Sequence, residues 1–134
     1  MENCLFCKIV RGEIPCCKIY EDESILAFLD ISKNPEGHTL VIPKNHVENL
    51  FDENYKDFGK LEEVTAKIAK HYKSIGYSSA VNIYINSGKD AGQEVNHLHV
   101  HIIPRNDNDQ IIFSHTKKVS DAELCAVQEK LKLN

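Results

Sequence analysis

Two periods of hydrophobic and polar positions run along the chain and predict its elements. Apolar residues recur every three or four positions between Asn54 and Ile75, which predicts a long amphipathic helix. Residues 4–11 are expected to form a short helix, and Ser120 with Glu123 has capping-box spacing ahead of a final helix. Short runs of strand-forming residues predict five strands, at Cys17–Tyr20, Ile25–Ile31, Thr39–Ile42, Ala80–Ile85 and His97–Ile103.

The order of these elements predicts an α+β fold. Short connections between strands favour a five-stranded, mostly antiparallel sheet, accompanied by one long helix and a C-terminal helix. A chain of 134 residues fits one compact domain, so we expect residues 1–134 to form a single unit. Residues 106–134 follow the last predicted strand and form a C-terminal segment.

Composition narrows the possible partners. The formal net charge is -4 and lysine and arginine form no block, which argues against a nucleic-acid polymer as ligand. A single nucleotide remains possible, because a few amide donors and imidazoles are enough to hold it. No apolar run approaches the ~20 residues of a membrane span, and the N-terminus lacks a signal-peptide pattern, so we expect a cytoplasmic protein.

The most informative stretch is His97-Leu98-His99-Val100-His101-Ile102-Ile103. Alternate side chains of a strand share a face, so the three imidazoles are expected on one side and the apolar residues in the core. A solvated strand face and a metal site are two alternatives for such a triple. Neutral imidazole is also a competent nucleophile toward phosphorus, and this is the interpretation we favour.

The loop before the histidines supports phosphate chemistry. Residues 86–94 contain Gly92, where the backbone can approach an anion closely, and successive N–H groups can bind that anion. A loop with two glycines is weak evidence alone, because most such loops are only turns. Its position directly before three histidines gives it more weight.

Cysteine spacing indicates a second kind of site. Cys4 and Cys7 have the Cys-x2-Cys spacing of half a zinc site, but the chain has no second such pair. Any further ligands would therefore be histidines. The alternative is a pair of half-buried cysteines that pack as small hydrophobic residues. His71, on the polar side of the long helix, and His115, in a loop, have no partner that the sequence suggests.

The histidine pattern resembles the His-φ-His-φ-His-φ-φ signature of the histidine-triad (HIT) family, in which φ is apolar. Further segments resemble the family in the same order along residues 4–105. They are Phe6–Val10, Gly12–Pro15, Phe28–Ile31 and Gly37–Lys44.

The resemblance implies a nucleotide hydrolase that works through a nucleotidyl-histidine intermediate and releases a nucleoside monophosphate. It implies that His99 is the nucleophile, that His101 contacts the phosphate and leaving group, and that His38 belongs to the active site. Asp30 matches the position that binds the ribose hydroxyls. The base is expected among Phe6, Ile9, Ile14, Phe28 and Leu40, for which core packing is an equal alternative, and the phosphate beside Asn86, Gly92 and Gln93.

Two further expectations follow from relatives. Galactose-1-phosphate uridylyltransferases, which are distant relatives, bind zinc through a cysteine pair and two histidines, and the matching residues here are Cys4, Cys7, His46 and His97. This resemblance implies one closed, structural zinc site. Family members also commonly pair with a second copy, so we expect a homodimer.

The leaving group is open at this stage. The animal phosphoramidase branch usually carries serine or threonine after the loop glutamine, whereas this chain has Glu94. A carboxylate there would favour a departing amine over a phosphate chain, so we expect nucleoside 5′-phosphoramidates as substrates. The alternatives are a dinucleoside polyphosphate hydrolase, a nucleotide-binding regulator with little activity, and a metal-dependent hydrolase that uses the triad as ligands.

Overall fold

An antiparallel five-stranded sheet in the order β1-β2-β3-β5-β4 forms the centre of the computed structural model, which describes residues 1–31, 35–56, 58–107, 109 and 119–134. The expected α+β architecture is therefore confirmed. The strands are β1 (Lys18–Glu21), β2 (Ile25–Leu29), β3 (Thr39–Pro43), β4 (Ala80–Tyr84) and β5 (Val100–Arg105). The helices are α1 (Leu5–Val10), α2 (Gly59–Ser74) and α3 (Asp121–Leu131), with a short 3-10 turn at Lys89–Ala91.

The two faces of the sheet carry different layers. One face packs against α2 through a cluster that includes Val41, Leu98, Val100 and Ile102, as the alternation around the histidines predicts. The other face packs against α1 through a cluster of Phe6, Ile9, Leu26, Phe28, Leu40 and Ile42. Because side chains alternate along a strand, the imidazoles of the triad lie on this second face.

The long helix begins later than its apolar pattern predicts, at Gly59 rather than Asn54. The Asp52 carboxylate accepts hydrogen bonds from the backbone N–H groups of Glu48 (2.9 Å) and Asn54 (2.9 Å). Such local side-chain bonds offer the backbone an alternative to the helix, so this segment turns instead.

The histidine strand was also predicted with wrong bounds, because β5 is Val100–Arg105 rather than His97–Ile103. Ahead of Val100 the backbone bonds to loops, with Leu98 N–H donating to the Val47 carbonyl (2.7 Å). Pro104 lies inside β5 opposite Val81 of β4, whereas β3 pairs with β5 only through Val100–Ile102. The missing N–H of Pro104 therefore costs no hydrogen bond to β3.

The C-terminal helix is confirmed, and the Ser120 hydroxyl accepts a hydrogen bond from the Glu123 N–H at 3.3 Å as its cap. None of its residues is buried. Within the described ranges, no helix is both long and apolar enough to cross a membrane. The expectation for His115 lies outside the described residues, as does part of the predicted 106–134 segment.

Candidate functional site

His99 is held in one tautomer by the backbone carbonyl of His97. Its Nδ1 lies 2.6 Å from the His97 carbonyl oxygen, and because a carbonyl only accepts, Nδ1 must carry the proton. The lone pair is therefore on Nε2. Burial lowers the pKa of His99 below its usual value, which keeps the ring neutral. The site thus holds a neutral imidazole with one nitrogen fixed and the other available to a substrate.

His101, His38 and Asp30 form a chain beside His99. His38 Nε2 lies 2.8 Å from His101 Nδ1, and His38 Nδ1 lies 3.4 Å from an Asp30 carboxylate oxygen. The carboxylate accepts, so His38 presents Nδ1–H to it and receives the Nδ1–H of His101 on Nε2. Burial lowers the pKa of His38, and it lowers the pKa of His101 to about 4. The remaining His101 nitrogen, Nε2, is buried without a hydrogen-bond partner among the described residues.

The apolar residues expected around a base lie on the same face as the imidazoles. The Phe6 ring meets the His99 ring edge to face, with 5.1 Å between centroids, and meets Phe28 in the same way at 5.4 Å. Ile9 and Leu40 are buried in this cluster and Ile14 packs against it. These residues therefore pack in the core on the α1 face of the sheet, beside the imidazoles.

The glycine-containing loop is held by one buried amide. Gln93 Nε2 donates to the carbonyls of Glu48 (2.7 Å) and Val95 (3.0 Å). Gln93 Oε1 accepts from Asn49 Nδ2 (2.9 Å) and from the Gly88 N–H (2.8 Å). Since the amide is fully used inside the protein, Gln93 shapes this loop rather than offering a free donor.

The other predicted loop residues occupy different surroundings. Gly92 has φ +93°, in the left-handed region that favours glycine, and its carbonyl lies 3.5 Å from Asn86 Nδ2. Glu94 is exposed and lines a cavity of about 550 Å³ together with Cys4, His46 and Glu48. Glu94 therefore lies near two of the predicted zinc ligands.

Four residues from three segments that are distant in sequence come together as a possible metal centre. The ligand atoms of Cys4, Cys7, His46 and His97 all lie within 4.8 Å of one another. Sulfur-to-nitrogen distances are 3.4 Å for Cys4–His97, 3.3 Å for Cys7–His46 and 3.5 Å for Cys7–His97. Ligands at ~2.3 Å (sulfur) and ~2.0 Å (nitrogen) from a tetrahedral zinc are separated by about 3.5 Å, so the set fits the ion.

The protonation of these residues also suits a metal. His97 Nε2 lies 2.8 Å from the Pro43 carbonyl and must donate to it, which leaves the Nδ1 lone pair facing the two sulfurs. A metal-binding histidine usually donates its other ring N–H to a carbonyl or carboxylate in this way. Burial lowers the pKa of His97 to about 4 and raises the pKa of the Cys7 thiol. A Cys7 thiolate therefore requires a nearby cation.

Sequence reasoning missed Tyr84. Its ring stacks on His101, with 4.4 Å between centroids and 15° between planes, because β4 places Tyr84 opposite His101. The only available signal was an aromatic residue at the end of a predicted strand. The strand register that pairs it with His101 cannot be deduced from either strand alone.

Two solved structures are similar to this chain over most of its length. SMU.412c from Streptococcus mutans UA159 superposes with a TM-score of 0.87 at 42% identity, covering 97% of this chain and 83% of that one. A Zn-bound histidine triad family protein from Mycobacterium smegmatis superposes with a TM-score of 0.77 at 35% identity, covering 97% and 99%.

Curated relatives cover somewhat less of the chain. Protein hit from Bacillus subtilis (strain 168) is 50% identical over 108 residues, which is 78% of this chain and 72% of that protein. Adenosine 5′-monophosphoramidase hnt1 from Schizosaccharomyces pombe is 40% identical over 103 residues, or 77% and 74%. Adenylylsulfatase HINT3 from Arabidopsis thaliana is 38% identical over 107 residues, or 80% of this chain and 54% of that protein.

The family comparison agrees with the geometry of the histidines. The HIT domain family matches residues 11–108, which include β1 to β5, the long helix and all three triad histidines. The chain is therefore a member of the HIT domain family.

Proposed function

We propose that this protein hydrolyses nucleoside 5′-phosphoramidates or related nucleotide conjugates at the α-phosphorus, through a nucleotidyl group carried on His99. The observation that carries the proposal is the 2.6 Å contact from His99 Nδ1 to the His97 carbonyl. It fixes the nucleophile as a neutral ring with its lone pair on Nε2, the state that attack on phosphorus requires.

The reaction has two balanced steps. His99 Nε2 bonds to the α-phosphorus and the bond to the leaving group breaks, while protonated His101 gives its Nε2 proton to the departing amine. Water then bonds to the phosphorus and the phosphorus–His99 bond breaks, while His101 Nε2 takes a proton from that water. The anionic substrate favours protonation of His101, and Asp30 stabilises the chain through His38.

The nucleoside is proposed to bind on the α1 face. The buried rings of Phe6 and Phe28 lie beside His99, and Asp30 is half-buried at the end of the histidine chain, where its carboxylate can accept from ribose hydroxyls. The loop with Asn86, Gly92, Gln93 and Glu94 would border the phosphate. We take residues 1–134 as one domain of this kind.

The Cys/His cluster is proposed to hold one structural zinc ion. All four protein ligands would be used, which leaves no open coordination position for a substrate. Its relation to catalysis is mechanical, because His97 supplies both a metal ligand and the carbonyl that fixes His99. Solved relatives of this family include one named as Zn-bound.

Amine leaving groups are the finer part of the proposal. The S. pombe relative is named a monophosphoramidase, and Glu94 would oppose an additional phosphate charge. At ~6 Å this repulsion is about 3 kcal/mol at an effective dielectric of 20 but only ~0.7 kcal/mol in water. Glu94 is exposed, so we expect a contribution nearer threefold in rate, which Lys89 in the same loop would reduce.

One experiment tests the reaction and the preference together. Turnover of adenosine 5′-phosphoramidate and diadenosine tetraphosphate is compared for the wild type, His99→Gly and Glu94→Ser. We expect higher kcat/KM for the phosphoramidate, loss of almost all turnover in His99→Gly with nucleotide binding retained, and an adenylyl group on wild-type His99 by mass spectrometry after quenching.

Other results identify the alternatives. An adduct on His97 or His101, or full activity of His99→Gly, contradicts the assignment of the nucleophile. Preference for the polyphosphate favours the dinucleoside polyphosphate hydrolase. Binding with no measurable turnover favours a nucleotide-binding regulator. An unchanged substrate ratio in Glu94→Ser removes Glu94 from leaving-group selection while leaving the His99 assignment intact.

A further inference from the structure

A chain of hydrogen bonds runs from Tyr72 of α2 through Thr39 to the Gly37 carbonyl, at the peptide bond that joins Gly37 to His38. The Thr39 hydroxyl donates to the Gly37 carbonyl at 2.8 Å, and it lies 2.7 Å from the Tyr72 hydroxyl. Thr39 has one hydroxyl proton and the carbonyl can only accept, so that proton points at Gly37. The Tyr72 hydroxyl must then donate to Thr39. Burial raises the pKa of Tyr72, so the phenol remains a donor throughout the neutral range.

This chain acts on the turn that presents His38. The Gly37 carbonyl belongs to the peptide group that leads into His38, and the next carbonyl, that of His38, accepts the Asp30 N–H at 2.8 Å. Both peptide groups around His38 are therefore held. Gly37 has φ +81°, and a Cβ there would lie 2.7 Å from the Tyr77 ring, so the turn is also packed on its outer side.

The side chains on either side of this backbone point in opposite directions. Thr39 contacts the α2 layer through Tyr72, whereas His38 contacts His101 on the active-site face at 2.8 Å. Neighbouring residues in extended chain alternate in this way. A small rotation of the Gly37 peptide would therefore move the His38 ring relative to His101 without touching either imidazole.

We infer that Thr39 and Tyr72 are positioning residues that hold the His38 imidazole against His101. This inference rests on the function proposed above, in which the His38–His101 contact supports proton transfer. Neither hydroxyl touches the reacting atoms. Their removal is expected to lower kcat and to leave KM nearly unchanged, because the nucleoside contacts lie on other residues.

Conservative variants test whether Tyr72 acts on the Gly37 carbonyl through the Thr39 hydroxyl. Thr39→Val keeps the shape and removes the hydroxyl, and we expect kcat to fall about tenfold with KM within twofold of the wild type. Thr39→Ser restores the hydroxyl and is expected to recover most of kcat. Tyr72→Phe is expected to lower kcat about threefold alone but to have no further effect in the Thr39→Val background, since Tyr72 acts through Thr39.

Thr65→Val is the matched control. Thr65 is also buried and its hydroxyl donates to the Leu61 carbonyl at 2.7 Å, but it lies within α2, away from His38. The Thr65→Val variant should lose stability as Thr39→Val does but keep the wild-type kcat. A kcat loss of equal size in Thr65→Val, or no rescue by Thr39→Ser, would overturn the inference.

A second measurement is independent of turnover. The imidazole proton between His101 Nδ1 and His38 Nε2 should be visible by NMR, because it is buried and hydrogen-bonded at 2.8 Å. We expect the chemical shift of this proton to change in Thr39→Val and to match the wild-type value in Thr65→Val. A moved signal without a His99 adduct would leave the positioning role standing and reject the proposed hydrolysis. An adduct with an unmoved signal and unchanged kcat would reject the positioning role alone.

Discussion

Burial determines the protonation state of the histidines on the α1 face of the sheet. His101 is only 9% exposed, and loss of hydration, reinforced by His99 and His38, lowers its pKa to about 4 from an ordinary value near 6.5. A group whose pKa is lower in the folded chain than in the unfolded chain binds its proton on unfolding. Its contribution to stability is therefore complete above pH ~6.5 and is lost as the pH falls toward 4.

This difference predicts a measurable pH dependence of stability. Between pH 6.5 and 4, His101 should remove roughly 2–3 kcal/mol from the free energy of unfolding. In urea titrations across this range, His101→Asn should show a shallower fall than the wild type. His71→Asn, which changes an exposed histidine of α2, should follow the wild-type slope. Equal slopes for all three proteins would contradict the cause given for the His101 pKa.

The placement of a side chain on one face of the sheet can be predicted where the sequence spacing repeats. The alternation of His97, His99 and His101 with apolar residues predicted which side chains share a face, and the structure confirms that division. The tautomer of His97 is not predictable from the sequence, because it depends on a carbonyl that the fold brings close. Pro43 orients His97 across 54 positions of sequence, and no local pattern indicates such a contact.

At the scale of elements, existence was easier to predict than bounds. The apolar repeat predicts α2. The Asp52 side-chain bonds hold the preceding segment in turns, so the helix begins at Gly59 rather than Asn54. The loop before the triad was predicted as a phosphate contact. Its Gln93 amide bonds to Glu48, Val95, Asn49 and Gly88 and so holds the loop's shape, while the contact of the loop with phosphate stays a prediction.

Two elements present apolar side chains outward, and we propose that they form the contact of the homodimer expected from the family resemblance. Leu124, Val127 and Leu131 are exposed along one side of α3, at spacings that share a helix face. At the edge of the sheet, β4 exposes Ile83 and Tyr84. Burying both surfaces against a second copy would remove this apolar area from water.

Sedimentation velocity at micromolar concentration checks this proposal. We expect the wild type to sediment as a dimer and Leu124→Lys to shift toward monomer, because the lysine would place an unpaired charge in the contact. Ala126→Lys adds the same charge on another side of α3 and should remain dimeric. A monomeric wild type, or equal effects of both lysines, would contradict the assignment of this face.

For the whole molecule, the Cys/His cluster joins segments that are far apart in sequence. Cys4 caps the start of α1 and Cys7 lies within it, whereas His46 follows β3 and His97 precedes β5. One ion would therefore connect the N-terminus to the strand that carries His101. Binding energy at such a site is folding energy, since the unfolded chain has no preformed cluster. The same ion would steady the His97 carbonyl that fixes His99.

Removing the metal should therefore affect stability first and catalysis second. Protein purified without added metal is expected to contain one zinc per chain, and chelation is expected to lower Tm by about 10 °C. Cys7→Ser should lose zinc in the same way, whereas Cys125→Ser, which changes an exposed cysteine of α3, should keep it.

Turnover of the chelated protein should fall, but the adduct on His99 should still form, because the ion contributes no coordination position to the substrate. Complete loss of the adduct on chelation, restored by zinc, would instead indicate a metal-dependent hydrolase. A metal-free protein of unchanged Tm would show that the cysteine pair only packs.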